Sequence, residues 1–221
     1  MRWSRSGAGW SSGSRPDALA AQPPGPEVAH ELYLHIRVII SIVLGIAITR
    51  ILAGLARFVQ HPGKLKVYPV HLLWALIVLI SAIHFWWWEF GLAAIASWRF
   101  ELFLFVLFYA FLFALMANIL FPDDLDEYEG YRDYFLSRRG WFFGLLIASM
   151  LTDWFDTAIK GHVYLASFGL EYPLRIAGTI ALALVAMRTR NPRFHLAFAL
   201  LYLAYYVSWI VRVYDPGRLG G

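Results

Sequence analysis

Residues Pro69 to Phe90 read PVHLLWALIVLISAIHFWWWEF. This is one apolar run of 22 residues with a histidine near each end, and it closes on Trp86, Trp87, Trp88 and Glu89. At about 1.5 Å per residue a helix of that length covers roughly 33 Å, enough to cross a bilayer core of about 30 Å. The tryptophans then fall at a boundary between hydrocarbon and headgroups. Five more runs of similar character flank it, so the predicted class is all-α, a polytopic transmembrane helical bundle with six spanning helices. Their expected limits are 33–59, 69–90, 99–121, 140–160, 172–187 and 194–213.

Composition points the same way. Sixty per cent of the 221 residues are hydrophobic, whereas soluble domains hold about 45–50%, so part of the apolar surface must meet lipid. The net charge is +4 and the basic residues sit between apolar runs instead of forming one face. No nucleic-acid partner is expected from that pattern. The chain has no cysteine, which excludes disulfides, thiolate metal sites, iron–sulfur clusters and cysteine nucleophiles.

The ends are expected to be irregular. Residues 1–29 are rich in Ser, Gly, Ala and Pro without apolar periodicity and read as a disordered tail. They lack the apolar core of a signal peptide, and a second reading places the true start near Val28. The membrane domain is expected over 30–214, and 215–221 reads as a frayed C-terminal tail.

Inside the first span, Ser41, Gly45, Thr49 and Ala53 recur every fourth residue, a small-residue stripe suited to close helix packing. Arg50 lies in the same span, where a charge normally faces the bundle or a wet cavity; snorkelling or a structural ion pair would account for it equally. The connection PDDLDEYEGYRDYFLSRRG opens acidic and ends basic. Asp123 can cap a short helix there, with Leu125, Tyr128, Tyr131 and Phe135 on one side, which predicts an amphipathic helix on the membrane surface. Its acids do not keep the register of a calcium loop.

Span four carries the most distinctive polar pattern. Asp153, Asp156 and Lys160 stand at i, i+3 and i+7, on one helix face. Asp156 and Lys160 have the spacing of an intrahelical ion pair, and Asp153 lies deeper. Loops one, three and five hold most of the Lys and Arg, so the positive-inside rule places both termini outside; the arginines of the N-terminal tail oppose it. In that topology His84, Glu89, Asp153, Asp156, Lys160 and Arg175 share the outer half, with Arg50 near the middle. The preferred reading is a non-enzymatic channel or transporter-like bundle whose charged centre is Arg50 with Asp153. Neutralisation of the same residues for helix register alone fits equally, and a structural or accessory subunit of a membrane complex is the alternative function.

A redox class is the second alternative. His71 and His84 are 13 residues apart on one helix, a spacing that resembles the paired haem ligands of ferric-reductase-like transmembrane proteins. That resemblance covers one helix and implies haem as an alternative cofactor. A matching second pair is missing, since Ser208 and Trp209 stand where a partner of His195 would be, and 13 residues rotate a helix by about 140° off the starting face. No cofactor and no metal site are predicted by the preferred reading, and motifs for zinc peptidases, serine hydrolases or nucleotide binding are absent.

Taken together, ELYLHIRVIISIVLGIAITRILAGLARF, VHLLW, FWWWEF and LFPDDLDEYEGYRDYFLSRRGWFFG resemble small uncharacterised proteobacterial six-helix integral membrane proteins over about residues 31–213. The resemblance implies a helical bundle in a bacterial inner membrane and transfers no activity or site residues. The expected partners are the lipid bilayer and either further copies of the chain or a companion membrane subunit.

Overall fold

The computed structural model describes residues 26–61, 63, 66–95 and 98–214. Most of the expected N-terminal tail and all of 215–221 lie outside these residues. The last four residues of that tail do not: they form the first turn of a long helix, α1 (Pro26–Gln60). After it come α2 (Pro69–Trp88), a 3-10 turn (Glu89–Ala94), α3 (Phe100–Leu120), α4 (Tyr131–Ile159), α5 (His162–Ser167), α6 (Glu171–Arg188) and α7 (Pro192–Val213). Among the described residues there is no strand.

Local chemistry sets several of these limits. Pro69 and Pro192 open α2 and α7 at positions where a missing N–H costs nothing, and the Asn191 side chain accepts a hydrogen bond from the Arg193 N–H. Pro122 follows the end of α3. The connection from 121 to 130 forms no helix, so the expected surface helix is absent there. Instead Gly130, at φ 139°, makes a turn that side chains resist, and α4 starts at the next residue. Tyr131 and Phe135, assigned by pattern to the membrane surface, are buried in the core. Their rings pack against His71, Phe58 and Phe142, and that contact draws the segment into α4.

Five helices, α1, α2, α3, α4 and α7, are long and apolar enough to cross a membrane. The expected fifth span coincides with α6, whose eighteen residues include Glu171, Arg175 and Arg188; it falls outside that set. α2 is the hub, touching α1, α3, α4 and α7, while α1 lies along α3 and α4 along α6. In its second turn Trp74 is fully buried, its ring 5.2–5.6 Å from those of Phe142, Phe143, Phe198 and Tyr202. Where α1 crosses the end of α3, Gly54 lies flat against Phe121, and a Cβ at that position would overlap the ring.

The exterior is apolar as well. Ile42, Phe108, Leu201 and Val211 all stand outside, an arrangement that lipid accepts and water penalises. The small-residue stripe of α1 does not pack the bundle as expected. Thr49 and Ala53 are exposed and nothing approaches Gly45, because α1 meets α3 and α2 through another face, that of Ile40, Leu44, Ala47 and Ile51. Ser41 meets only the rim, accepting the Trp86 indole N–H at 2.9 Å.

Candidate functional site

The chain crosses back and forth so that one end of the bundle collects the start of α1, the end of α2 with its 3-10 turn, the end of α4, α5, the start of α6 and the end of α7. At this termini end the face of α4 bearing Asp153, Asp156 and Lys160 turns inward, as the i, i+3, i+7 spacing requires. All three side chains are nearly or fully enclosed.

Asp153 is held from three sides. The Arg175 guanidinium of α6 lies 2.7 Å from Oδ2, and the Tyr109 hydroxyl of α3 donates to Oδ1 at 3.3 Å. The Tyr172 hydroxyl sits 3.1 Å from Oδ2 and 2.9 Å from the Asp153 carbonyl oxygen. Those oxygens only accept, so Tyr172 spends its one hydrogen on them, and Thr157, 2.7 Å away, donates to Tyr172. Arg175 in turn lies 5.0 Å and 5.2 Å from the ring centroids of Tyr172 and Trp209, where the ring faces favour a cation.

One turn nearer the surface a second cluster forms. Lys160 Nζ donates to Asp156 Oδ2 at 2.6 Å and to Glu89 Oε1 at 3.2 Å, and lies 5.6 Å from the Trp88 ring centroid. The side chains of Glu89, Asp156 and Lys160 are 1%, 2% and 3% exposed. Tyr164 of α5 caps the cluster; burial, and then the Asp156 and Glu89 carboxylates, push its phenol above the ordinary range.

A cavity of about 50 Å³ adjoins Asp153, walled by Ser81, His84, Asp153, Arg175, Tyr202 and Tyr206 among others. That is space for a few water molecules. His84 Nδ1 is 2.8 Å from the Tyr206 hydroxyl and Nε2 is 3.1 Å from the Tyr214 hydroxyl. A neutral imidazole there accepts from one tyrosine and donates to the other. Hydroxyls, an imidazole and an ion pair therefore line one small cavity with room for water.

Six of the residues singled out from the sequence, His84, Glu89, Asp153, Asp156, Lys160 and Arg175, come together here. Arg50 does not. It lies near the opposite end, 2.7 Å from Asp123, with Arg57 donating to the Pro122 and Asp123 carbonyl oxygens beside it. The expected pairing of Arg50 with Asp153 is thus replaced by two separate pairs, because α1 carries Arg50 to the end of α3. Tyr109, Tyr172 and Tyr206 were not singled out as site residues from the sequence; Tyr109 stands in the middle of its span and the other two among several aromatics, and only the hydroxyl contacts distinguish them.

His71 and His84 stand at opposite ends of α2. His71 is fully buried, its Nε2 donating to the Leu120 carbonyl at 2.7 Å, with the Tyr131 and Phe121 rings 4.6 Å and 4.9 Å away. Haem ligation through the Nε2 atoms would require both histidines to give up the partners they have there. Among the described residues no group of three His, Asp or Glu side chains is placed to hold a metal ion.

Fold and site together define a helical bundle of the multi-pass membrane class, with five candidate spans and a buried ionic cluster near one end. Comparison with protein-family models, with curated proteins and with solved structures finds no match, so the reading of the site rests on its geometry.

Proposed function

We propose that this chain is a non-enzymatic transport-type membrane protein that moves a small cation, and that its working part is the cluster of Asp153, Arg175, Asp156, Lys160 and Glu89. One observation carries the reading: five charged side chains from three elements are buried at one end of the bundle, and two of them, Asp153 and Arg175, line a cavity together with Ser81, His84, Tyr202 and Tyr206. Apolar residues would hold the same helices together at no desolvation cost, and charge within a membrane bundle usually marks a pathway. In this reading α6 is the sixth span, about 27 Å long at about 1.5 Å per residue. The loop charges favour both termini outside, and a bacterial inner membrane is part of this reading.

The test is flux from proteoliposomes, read with an internal pH dye and with sodium and potassium indicators. Wild-type protein is expected to carry one of these ions, Asp153→Asn to slow it at least about tenfold, and Arg50→Gln to leave it unchanged. Absence of wild-type flux, or equal flux from Asp153→Asn, defeats the reading. An accessory subunit of a larger complex is the second reading, favoured by the outward-facing Gly45, Thr49 and Ala53 of α1. It predicts no flux and a stoichiometric companion, or a second copy of the chain, in mild-detergent purification.

A further inference from the structure

The cluster at the termini end does not balance in charge. Its buried acids are Glu89, Asp156 and Asp153, and its buried bases are Lys160 and Arg175. Every other ionisable group packed around Glu89 leaves that difference in place. From α4 come Lys160, Asp156 and Asp153, already counted; from α5, Tyr164, a neutral phenol; from the end of α7, Tyr214, engaged with His84. On α2 itself His84 lies between two tyrosine hydroxyls. From α1 comes Arg37, whose guanidinium is 3.7 Å from the Phe90 ring centroid and 4.5 Å from that of Trp86, on the outer side of the turn. Glu171 and Arg212 form a separate pair, 2.5 Å apart and neutral by itself.

Three carboxylates against two cations leave one negative charge over, among side chains that are 1% to 13% exposed. A buried carboxylate without its counter-charge neutralises by taking a proton. The geometry says which one. Asp153 has a cation and two hydroxyl donors, and Asp156 has Lys160 at 2.6 Å. Glu89 has only its share of Lys160, at 3.2 Å through Oε1, while its Oε2 is buried and has no hydrogen-bond partner among the described residues. A bare carboxylate oxygen in that place is the costliest unsatisfied group in the cluster.

We infer that Glu89 is a proton-binding site, carrying a proton at neutral pH on its unpartnered oxygen, and that the cation this bundle moves is the proton. The inference rests on the transport reading for the second half only; the bound proton follows from the cluster. Loading is a single protonation, Glu89 carboxylate plus one proton from the aqueous side giving the neutral acid. Lys160, bonded to both Glu89 and Asp156, then retains one full ion pair in the loaded state and shares two carboxylates in the empty one. The excess charge thus appears and disappears at the position where the 3-10 turn joins α2 to α3.

Infrared spectroscopy of the reconstituted full-length protein tests this. At pH 7 a protonated-carboxyl C=O stretch is expected in the wild type, shifted when the protein is grown with carbon-13-labelled glutamate and not with labelled aspartate. Glu89→Gln, which keeps an acceptor for Lys160, is expected to lose the band. Isotope labelling needs no substitution, so a variant that fails to fold does not spare the inference. No band at pH 7, or a band that moves with aspartate label, overturns it. A glutamate band with no flux of any ion leaves the proton on Glu89 standing and defeats transport; sodium or potassium flux without the band does the reverse. Both the band and a proton flux that falls at least about tenfold in Glu89→Gln are the expected result.

Discussion

The two ends of the bundle each hold an arginine–aspartate pair at 2.7 Å, and they are built on opposite terms. Arg175 and Asp153 have side chains 8% and 13% exposed, with Tyr109, Tyr172 and Trp209 against them; Arg50 and Asp123 are 24% and 87% exposed, and the aspartate faces outward. Equal length therefore says little about what a pair contributes. An exposed pair is screened and contributes about 0–1 kcal/mol, whereas removing one partner of an enclosed pair costs about 3–5 kcal/mol because a bare charge stays behind. The end with the basic loops is fixed by aromatic packing around His71 and Tyr131. The termini end is fixed by charge, and its stability is tied to the presence of each counter-ion.

Substitutions can break that contrast, and the largest effect is expected from Lys160→Met. It strands Glu89 and Asp156 together, for a loss at the upper end of about 3–5 kcal/mol in denaturant unfolding followed by tryptophan fluorescence. Arg175→Leu follows, toward the lower end of that range, since Asp153 keeps the Tyr109 and Tyr172 hydroxyls. Adding Asp153→Leu to it is expected to restore much of the loss, because a neutral pair of apolar side chains leaves no orphan charge. Gly54→Val, at the charge-free contact with Phe121, is expected to cost about 1–3 kcal/mol by forcing the ring aside. Smallest is Arg50→Gln, with less than about 1 kcal/mol lost and the difference shrinking further in high salt. If Arg50→Gln proves as damaging as Arg175→Leu, the contrast between the two ends is wrong.

How far the sequence could be read follows the same division. Apolar length alone placed α2, α3 and α7 to within about two residues, since nothing but a helix satisfies a backbone in such a run. The beginning of α4 was hidden, because RDYFLSRR has the composition of a surface helix and only contact with α2 shows its aromatic side to be core. The inward face of Asp153, Asp156 and Lys160 is a property of one helix and was legible from spacing. Topology put Glu89 and Arg175 in the same half, but which base meets which acid was not legible: these pairs form across contacts between elements, 22 and 71 residues apart, and no periodicity within a single element reports those. Arg50 was misassigned for a related reason: depth along a helix depends on where the helix starts, and α1 starts at Pro26.

That early start has a consequence outside the membrane. Thirty-five residues of helix extend about 52 Å, against about 40–45 Å for a whole bilayer with its headgroups. The other end of α1 is tied to α3 at Gly54 and Phe121, so the surplus emerges at the termini end. Tyr33 is buried and stacked on Trp98; before it Ala29 is still buried, while Glu27, Val28, His30, Glu31 and Leu32 are exposed and make the start of α1 a short mast. A water-soluble label or a protease that cannot cross the lipid meets the protein first at that mast, and the side from which it is reached tells which way the bundle stands.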